Sequence, residues 1–172
     1  VYKMNLQLPK GYKRAVLVFD GAMSQPVVSV NGKEAGRWAY GYNAFRIDIT
    51  PYVKFGGKKN LVEVHLNNVE ESSRWYPGGG LYRPVSVELY GNENFSTWDT
   101  FVRTLKADRQ EAEVEVNALL EGKIGKSGKT VIALLDEAGT KVAEQTVSGA
   151  TPQIKTTLKV SNPQLWSPES PY

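Results

Sequence analysis

The densest cluster of residues able to do chemistry is Ser72-Ser73-Arg74-Trp75-Tyr76-Pro77-Gly78-Gly79-Gly80-Leu81-Tyr82-Arg83-Pro84. Arg74 and Arg83 offer fixed forks of hydrogen-bond donors, and Trp75, Tyr76 and Tyr82 offer flat apolar faces. Gly78, Gly79 and Gly80 admit positive φ and carry no Cβ, so the backbone can turn sharply and another group can approach it closely. The residue types therefore suit a recognition surface or a rigid corner, and from types alone the corner is the better reading. Phosphate binding is disfavoured. The run lacks a Gly-Lys-Ser/Thr ending and leads into the alternating strand Val85-Ser86-Val87-Glu88-Leu89-Tyr90 rather than a helix.

Other reactive residue types are sparse. His65 is the single histidine and there is no cysteine, so no transition-metal or thiolate constellation can be assembled, and neither metal nor cofactor is expected. His65 alternates outward between Val64 and Leu66, and no Gly-x-Ser-x-Gly signature adjoins it, which discards hydrolysis by a Ser-His triad. The run Gly122-Lys123-Ile124-Gly125-Lys126-Ser127-Gly128-Lys129-Thr130 suggests a phosphate loop, but Lys123 stands where the required glycine belongs and strands flank it on both sides. It reads as a hairpin loop. Asn94-Phe95-Ser96 fits a glycosylation sequon, a pattern that arises often by chance. None of the 18 acids sits in a signature for paired-carboxylate catalysis.

The elements that position these residues are strands. Tyr2 to Leu8 alternates, Arg14 to Asp20 is apolar nearly throughout, and Pro26 to Val30 runs into Asn31-Gly32, the strongest hairpin signal in the chain. Lys33 onward should return antiparallel; Ala44 to Ile49, Asn60 to Asn67 and Val85 to Tyr90 then alternate. No amphipathic helix of useful length intervenes. The expectation for 1–91 is an antiparallel β-sandwich closed as a jelly roll or similar double sheet. Gly91-Asn92-Glu93-Asn94 breaks the pattern and marks a boundary. In 92–172, strands are expected over Phe95–Leu105, 112–120, 130–135, 141–147 and 154–160, five where an immunoglobulin-type sandwich needs about seven.

Composition bounds the partners. At 172 residues, 41% hydrophobic and 23% charged, the chain is an ordinary globular composition with room for two cores. The net charge of +3 is spread along it with no basic block longer than Lys58-Lys59, which gives nucleic-acid binding little support. No apolar run reaches the ~18 residues of a membrane span. Val1 opens directly in strand-like sequence, pointing to an excised piece or a removed leader.

Four segments in order carry a resemblance: Phe19-Asp20-Gly21 leading to Val30-Asn31-Gly32, Phe45-Arg46-Ile47-Asp48-Ile49-Thr50-Pro51-Tyr52, Ser73 to Val85, and Pro163-Gln164-Leu165-Trp166-Ser167-Pro168 near the end. Together they resemble glycoside hydrolase family 2, the first three its sugar-binding domain and the last its immunoglobulin-like domain. The Arg-Trp-Tyr-Pro-Gly stretch is most similar to the bacterial β-galactosidase branch. The resemblance implies that the acid/base and nucleophile glutamates lie on a barrel beyond Tyr172, so this piece would be non-catalytic while its parent hydrolyses terminal β-galactosides with retention. It also implies that the first domain lends the active-site pocket a loop edge just after Leu66. Asn67-Asn68 falls where many members read Asp-Asn; Asn67 can still donate to and accept from hydroxyls but lacks the charge, which puts galactose preference in doubt. A turn-forming Asn pair is an equal reading.

Arg74 and Trp75 complete the implied substrate-contacting set, and Arg83 is expected to tie loop carbonyls or a carboxylate behind the glycine corner. A free-standing carbohydrate-binding module, with Trp38, Tyr40, Tyr42, Trp75 and Tyr76 as stacking platforms, is the alternative; a structural pair of sandwiches is a third reading. For the compartment, a bacterial periplasm is preferred over cell surface or cytoplasm. An immunoglobulin-like domain lacking its last two strands should expose inward-facing residues of 112–120 and 130–135 and pair with a second copy along an edge. The tail from Pro163 to Tyr172 should be irregular or fold Leu165 and Trp166 back onto the strands.

Overall fold

A computed structural model describes residues 1–71, 78–149 and 151–171. The chain is all-β and divides into two compact units, Val1–Gly91 and Asn92–Tyr172. The first contains β1 (Tyr2–Gln7), β2 (Arg14–Phe19), β3 (Val27–Val30), β4 (Lys33–Arg37), β5 (Phe45–Asp48), a 3-10 turn at Thr50–Tyr52, β6 (Lys59–His65) and β7 (Val85–Tyr90). They form two antiparallel sheets, β1-β6-β3-β4 and β5-β2-β7. The side chains that alternate inward meet between the sheets: Ala15, Leu17 and Phe19 of β2, Phe45 and Ile47 of β5, Val28 and Val30 of β3, and Val62 and Val64 of β6. The β3–β4 connection is the Asn31-Gly32 turn, with φ of 52° and 79°, the double positive φ that a two-residue hairpin of this twist requires.

Strand β2 is buried on both faces. Val16 and Val18 point away from the core yet are 4% and 7% exposed, because cross-strand ion pairs roof them. Arg14 Nε donates to Asp48 Oδ2 at 2.9 Å, Arg46 pairs with Glu88, Tyr90 donates to Glu88, and the Arg14 guanidinium lies 5.5 Å above the Tyr90 ring. The bond from Arg46 holds the Glu88 carboxyl below its ordinary range. A central strand covered on both faces reads as a continuous apolar run, and β2 does so.

One buried polar residue fixes a corner of this unit. Asn60, 0% exposed, accepts from Lys54 N at 2.7 Å and Asn31 Nδ2 at 3.0 Å. Its own Nδ2 donates to the carbonyls of Lys54 at 2.9 Å and Lys58 at 3.2 Å. The amide thereby satisfies the backbone of an irregular segment that no ladder reaches.

The second unit contains β8 (Glu93–Phe95), β9 (Phe101–Ala107), β10 (Glu111–Gly122), β11 (Lys129–Leu135), β12 (Lys141–Ser148) and β13 (Gln153–Ser161). The long β10 pairs with β13 along one edge; along the other it pairs with β9 over its first half and with β8 at its end. The strand expected over Phe95–Leu105 is thus interrupted at 96–100. Ser96 keeps its backbone bond to Leu119 O at 2.8 Å, but its hydroxyl turns to the Asp99 carboxylate, a local side-chain bond of the kind that competes with a ladder. β11 and β12 form a hairpin.

Residues 112–120 do not show the expected exposure. Ala112, Val116 and Ala118 are at most 8% exposed, on the face of the β10–β13 pair that also carries the buried Ile154 and Leu158. Within 130–135, Val131 and Leu135 of β11 are exposed as expected, and exposure falls also on β9, where Phe101, Val102 and Leu105 are open. The segment after β13 carries no strand beyond a Ser167–Ser170 bridge, and Trp166 is 68% exposed. Among the described residues no helix is long and apolar enough to cross a membrane.

Candidate functional site

In the first unit, the loop after β4 carries the aromatic cluster. Phe19, 0% exposed, stacks on Phe45 with centroids 4.7 Å apart and 3° between planes. Trp38 stacks on the far side of Phe45 at 5.6 Å and 8°. Its Nε1 donates to Asn43 Oδ1 at 3.0 Å, and its backbone N donates to Pro26 O at 3.0 Å. The indole is therefore held at its ring face, its ring nitrogen and its main chain, while 39% of the residue remains exposed. That is a preorganised platform, with little side-chain entropy left to lose when a ring stacks on it.

Asn67, just past β6, faces the same opening. Its backbone is clamped to the segment after β2: Asn67 N donates to Ser24 O at 2.9 Å, and Ser24 Oγ donates to Asn67 O at 2.6 Å. Its side-chain Nδ2 donates to Gln25 Oε1 at 3.0 Å, which leaves the Asn67 carbonyl oxygen as an acceptor. Gln25, Val27, Arg37, Trp38, Ala39 and Asn67 line a cleft of about 540 Å³, a size suited to a small ligand. Arg37 brings the cleft its only cation among these lining residues, and Glu34 takes that charge through a two-nitrogen, two-oxygen contact at 2.8 to 2.9 Å.

The glycine corner is tied to this loop. Gly80, with φ of 139°, exchanges backbone bonds with Met23 at 2.9 Å in both directions. The Tyr82 hydroxyl donates to Gly41 O at 2.8 Å. Its ring lies directly over Gly21, where a Cβ would come within 2.6 Å of the phenol. Gly79 backs onto the Asn68 side chain, its missing Cβ 3.3 Å from that residue's Cβ. Among the described residues, a Cβ on Gly78 would meet nothing within 4 Å.

Arg83 departs from its expected role. It is exposed, and among the described residues its contact is the neighbouring Tyr82 ring, 5.5 Å below the guanidinium. The tie behind the corner is made by the Tyr82 hydroxyl, because Tyr82 points over Gly21 into the loop while Arg83, one residue on, points away. Arg74 and Trp75 lie outside the described residues. Asn67 and the corner glycines are thus brought to one region, with Trp38 between Asn67 and the stacked core rings.

Ser24, Gln25 and Asn43 belong to the site and were not singled out by motif. The usable signals were Gly21 and Gly41, glycines beside aromatic residues at which a side chain would collide with Tyr82 and with the Met23 sulfur. His65 is exposed at the end of β6. Among the described residues no group of three or more His, Cys, Asp or Glu could hold a metal ion.

Residues 95–172 match the family described as glycosyl hydrolases family 2. A β-galactosidase of Bacteroides ovatus, BoGH2A, is 34% identical over 162 residues, covering 90% of this chain and 19% of its own length. A β-glucuronidase of Bacteroides fragilis is 31% identical over 174 residues, covering 90% of this chain and 24% of its own. Among solved structures, a glycosyl hydrolase family 2 member from Bacteroides cellulosilyticus superposes with a TM-score of 0.80 at 33% identity, over 99% of this chain and 24% of that one. The chain therefore spans less than a quarter of the length of these two relatives and this structure.

Proposed function

Because the chain belongs to glycosyl hydrolase family 2, we propose that it is the non-catalytic sugar-binding and immunoglobulin-like portion of a longer retaining β-galactosidase, and that its Trp38–Asn67 cleft rims the sugar pocket. Glycoside hydrolysis needs two carboxylates facing each other across the scissile bond, and on this reading both come from a barrel outside these 172 residues. The observation that carries the proposal is the clamped indole beside an amide acceptor. Trp38 offers a flat face to the C–H face of a pyranose, and Asn67 Oδ1 accepts from a hydroxyl at its edge.

Relatives carry both galactosidase and glucuronidase names, and the lining favours the neutral sugar. A uronate carboxylate would look for an available cation, and Arg37 is already engaged by both oxygens of Glu34. The test is kinetic, in the longer protein, with aryl β-galactoside and aryl β-glucuronide. Trp38→Ala and Asn67→Ala should raise KM for the galactoside about tenfold each, as expected for loss of one stacking face or one hydrogen bond. Preference for the glucuronide, or unchanged KM in both variants, would refute the reading.

The exposure of Tyr40 and Tyr42 at 58% and 42% beside Trp38 favours one second reading, a binding module that works alone. A micromolar dissociation constant for galactose with these 172 residues would promote it. The proposal expects weak binding, since most polar groups of the pocket are supplied from elsewhere.

A further inference from the structure

The break between β8 and β9 opens a second cleft, of about 370 Å³, wholly within the second unit. Asp99, Asn117, Gln153 and Lys155 line it, with Ala118 and Ile154 between them. Asn117 is paired with Lys155 and Leu119 with Gln153 across β10 and β13, so the four side chains share one face of the sheet. Phe101, paired with Asn117 from the other side, stands on that face and is 59% exposed.

Two of these polar groups, Asn117 and Lys155, are held by Glu115 on the same face, whose side chain is only 8% exposed. Its Oε1 accepts from Asn117 Nδ2 at 3.0 Å and from Arg103 Nε at 2.9 Å, and its Oε2 lies 3.2 Å from Lys155 Nζ. Bonds from Asn117 and Lys155, assisted by Arg103 against the cost of burial, hold its carboxyl down to about 2, so it stays a charged pin at working pH. With Nδ2 committed to Glu115, Asn117 presents Oδ1. Asp99 receives the Ser96 hydroxyl on Oδ2 and presents Oδ1. Lys155 has two further ammonium donors, and the Gln153 amide both donates and accepts.

We infer that this cleft is a second saccharide site, taking one neutral sugar unit on the outer face of the β9-β10-β13 sheet. The fixed Asn117 amide, the exposed Gln153 amide and a carboxylate match vicinal hydroxyls, each of which donates and accepts, and Phe101 supplies an apolar flank for ring C–H groups. A neutral sugar suits the cleft, because the charges of Asp99 and Lys155 add to zero and leave no net charge to draw an ionic one. The site does not depend on the Trp38–Asn67 cleft or on the parent's activity.

The test is a titration of the 15N-labelled chain with lactose and with methyl β-galactopyranoside, following side-chain amide resonances. The Asn117 and Gln153 amides should shift with a millimolar dissociation constant. Gln153→Ala and Lys155→Met, both exposed positions, should each weaken binding at this site about tenfold, as loss of one hydrogen bond does, with the backbone spectrum of the unit unchanged. Silence of both amides to tens of millimolar sugar would overturn the inference. So would shifts confined to Asn67 and the Trp38 indole, or affinity unaltered in both folded variants.

Discussion

Replacing Gly21 by Ala isolates the contact on which the first cleft's loop depends. The added Cβ would sit 2.6 Å from the Tyr82 phenol carbon and hydroxyl, well inside van der Waals distance, so the ring must move. Overpacking of this kind costs about 1–3 kcal/mol. A displaced ring also loses the 2.8 Å bond from Tyr82 Oη to Gly41 O, worth about 0.5–1.5 kcal/mol. The sum is about 1.5–4.5 kcal/mol, while Tyr82→Phe, which removes only the hydroxyl, should cost about 1 kcal/mol. The assay is urea unfolding of the whole chain followed by NMR through the Val28 and Val64 methyls, which report the first unit. In a Tyr82→Ala background the ring atoms that crowd the added methyl are gone, and the Gly21→Ala penalty should fall below about 0.5 kcal/mol, the usual limit for uncoupled sites. An equal penalty in both backgrounds would refute the steric account, as would a single-variant cost under about 0.5 kcal/mol.

Asn60→Ala should destabilise the first unit by about 3–5 kcal/mol, because it orphans the Lys54 amide and several carbonyls in a fully buried corner; the same unfolding assay reads it. Glu115, held down to about 2 by Asn117 and Lys155, stabilises the second unit above the ordinary carboxylate range, and that stability should drain as pH falls from about 4.5 to 2. Glu115→Gln should flatten this acid limb in a pH series of unfolding curves, and an unaltered limb would assign it to other groups. β9 pairs only with β10 among the described strands and exposes Phe101, Val102 and Leu105, so a second copy is expected to add along its edge. Light scattering should show a dimer that Val102→Lys returns to monomer; a monomer at all concentrations would sink the expectation.

Signals that are local in the chain were legible. Asn31-Gly32 announces its own double positive φ, Asn60 to Leu66 alternates into β6, and His65 shows its outward position by sitting between Val64 and Leu66. Arg14 to Phe19 is nearly all apolar because β2 is covered twice. Yet the roof over Val16 and Val18 could not be foreseen, since it is built from Arg46, Asp48 and Glu88 on two other strands. The interruption at 96–100 was missed because Phe95 to Leu105 keeps a β-like composition, while the Ser96–Asp99 bond that breaks it is a choice between two local partners. In the site, Asn67 was reachable from its place after a strand. Its partners Ser24 and Gln25 lie 43 and 42 residues away, in a segment without a motif.

Glycine shows why the remainder of the site stayed hidden. At Gly32 the residue is dictated by backbone angle, and a turn signal in the neighbouring residues reveals it. Gly21 and Gly41 do not have positive φ; they are glycine because a tyrosine ring 61 residues on and a methionine sulfur occupy the space a Cβ would take. The aromatic residues near them in the chain hint at close packing, but nothing adjacent says which ring or sulfur fills the space. The aromatic loop is therefore held in position by packing with Tyr82 rather than by its own sequence. Trp38 is fixed from the inside by Phe45, itself stacked on Phe19, and the loop's far end is held at Gly41 by Tyr82, a constraint that is long-range in the chain. The platform is consequently more sensitive to substitutions at Gly21, Gly41 and Tyr82 than to changes among its immediate neighbours Ala39 and Tyr40.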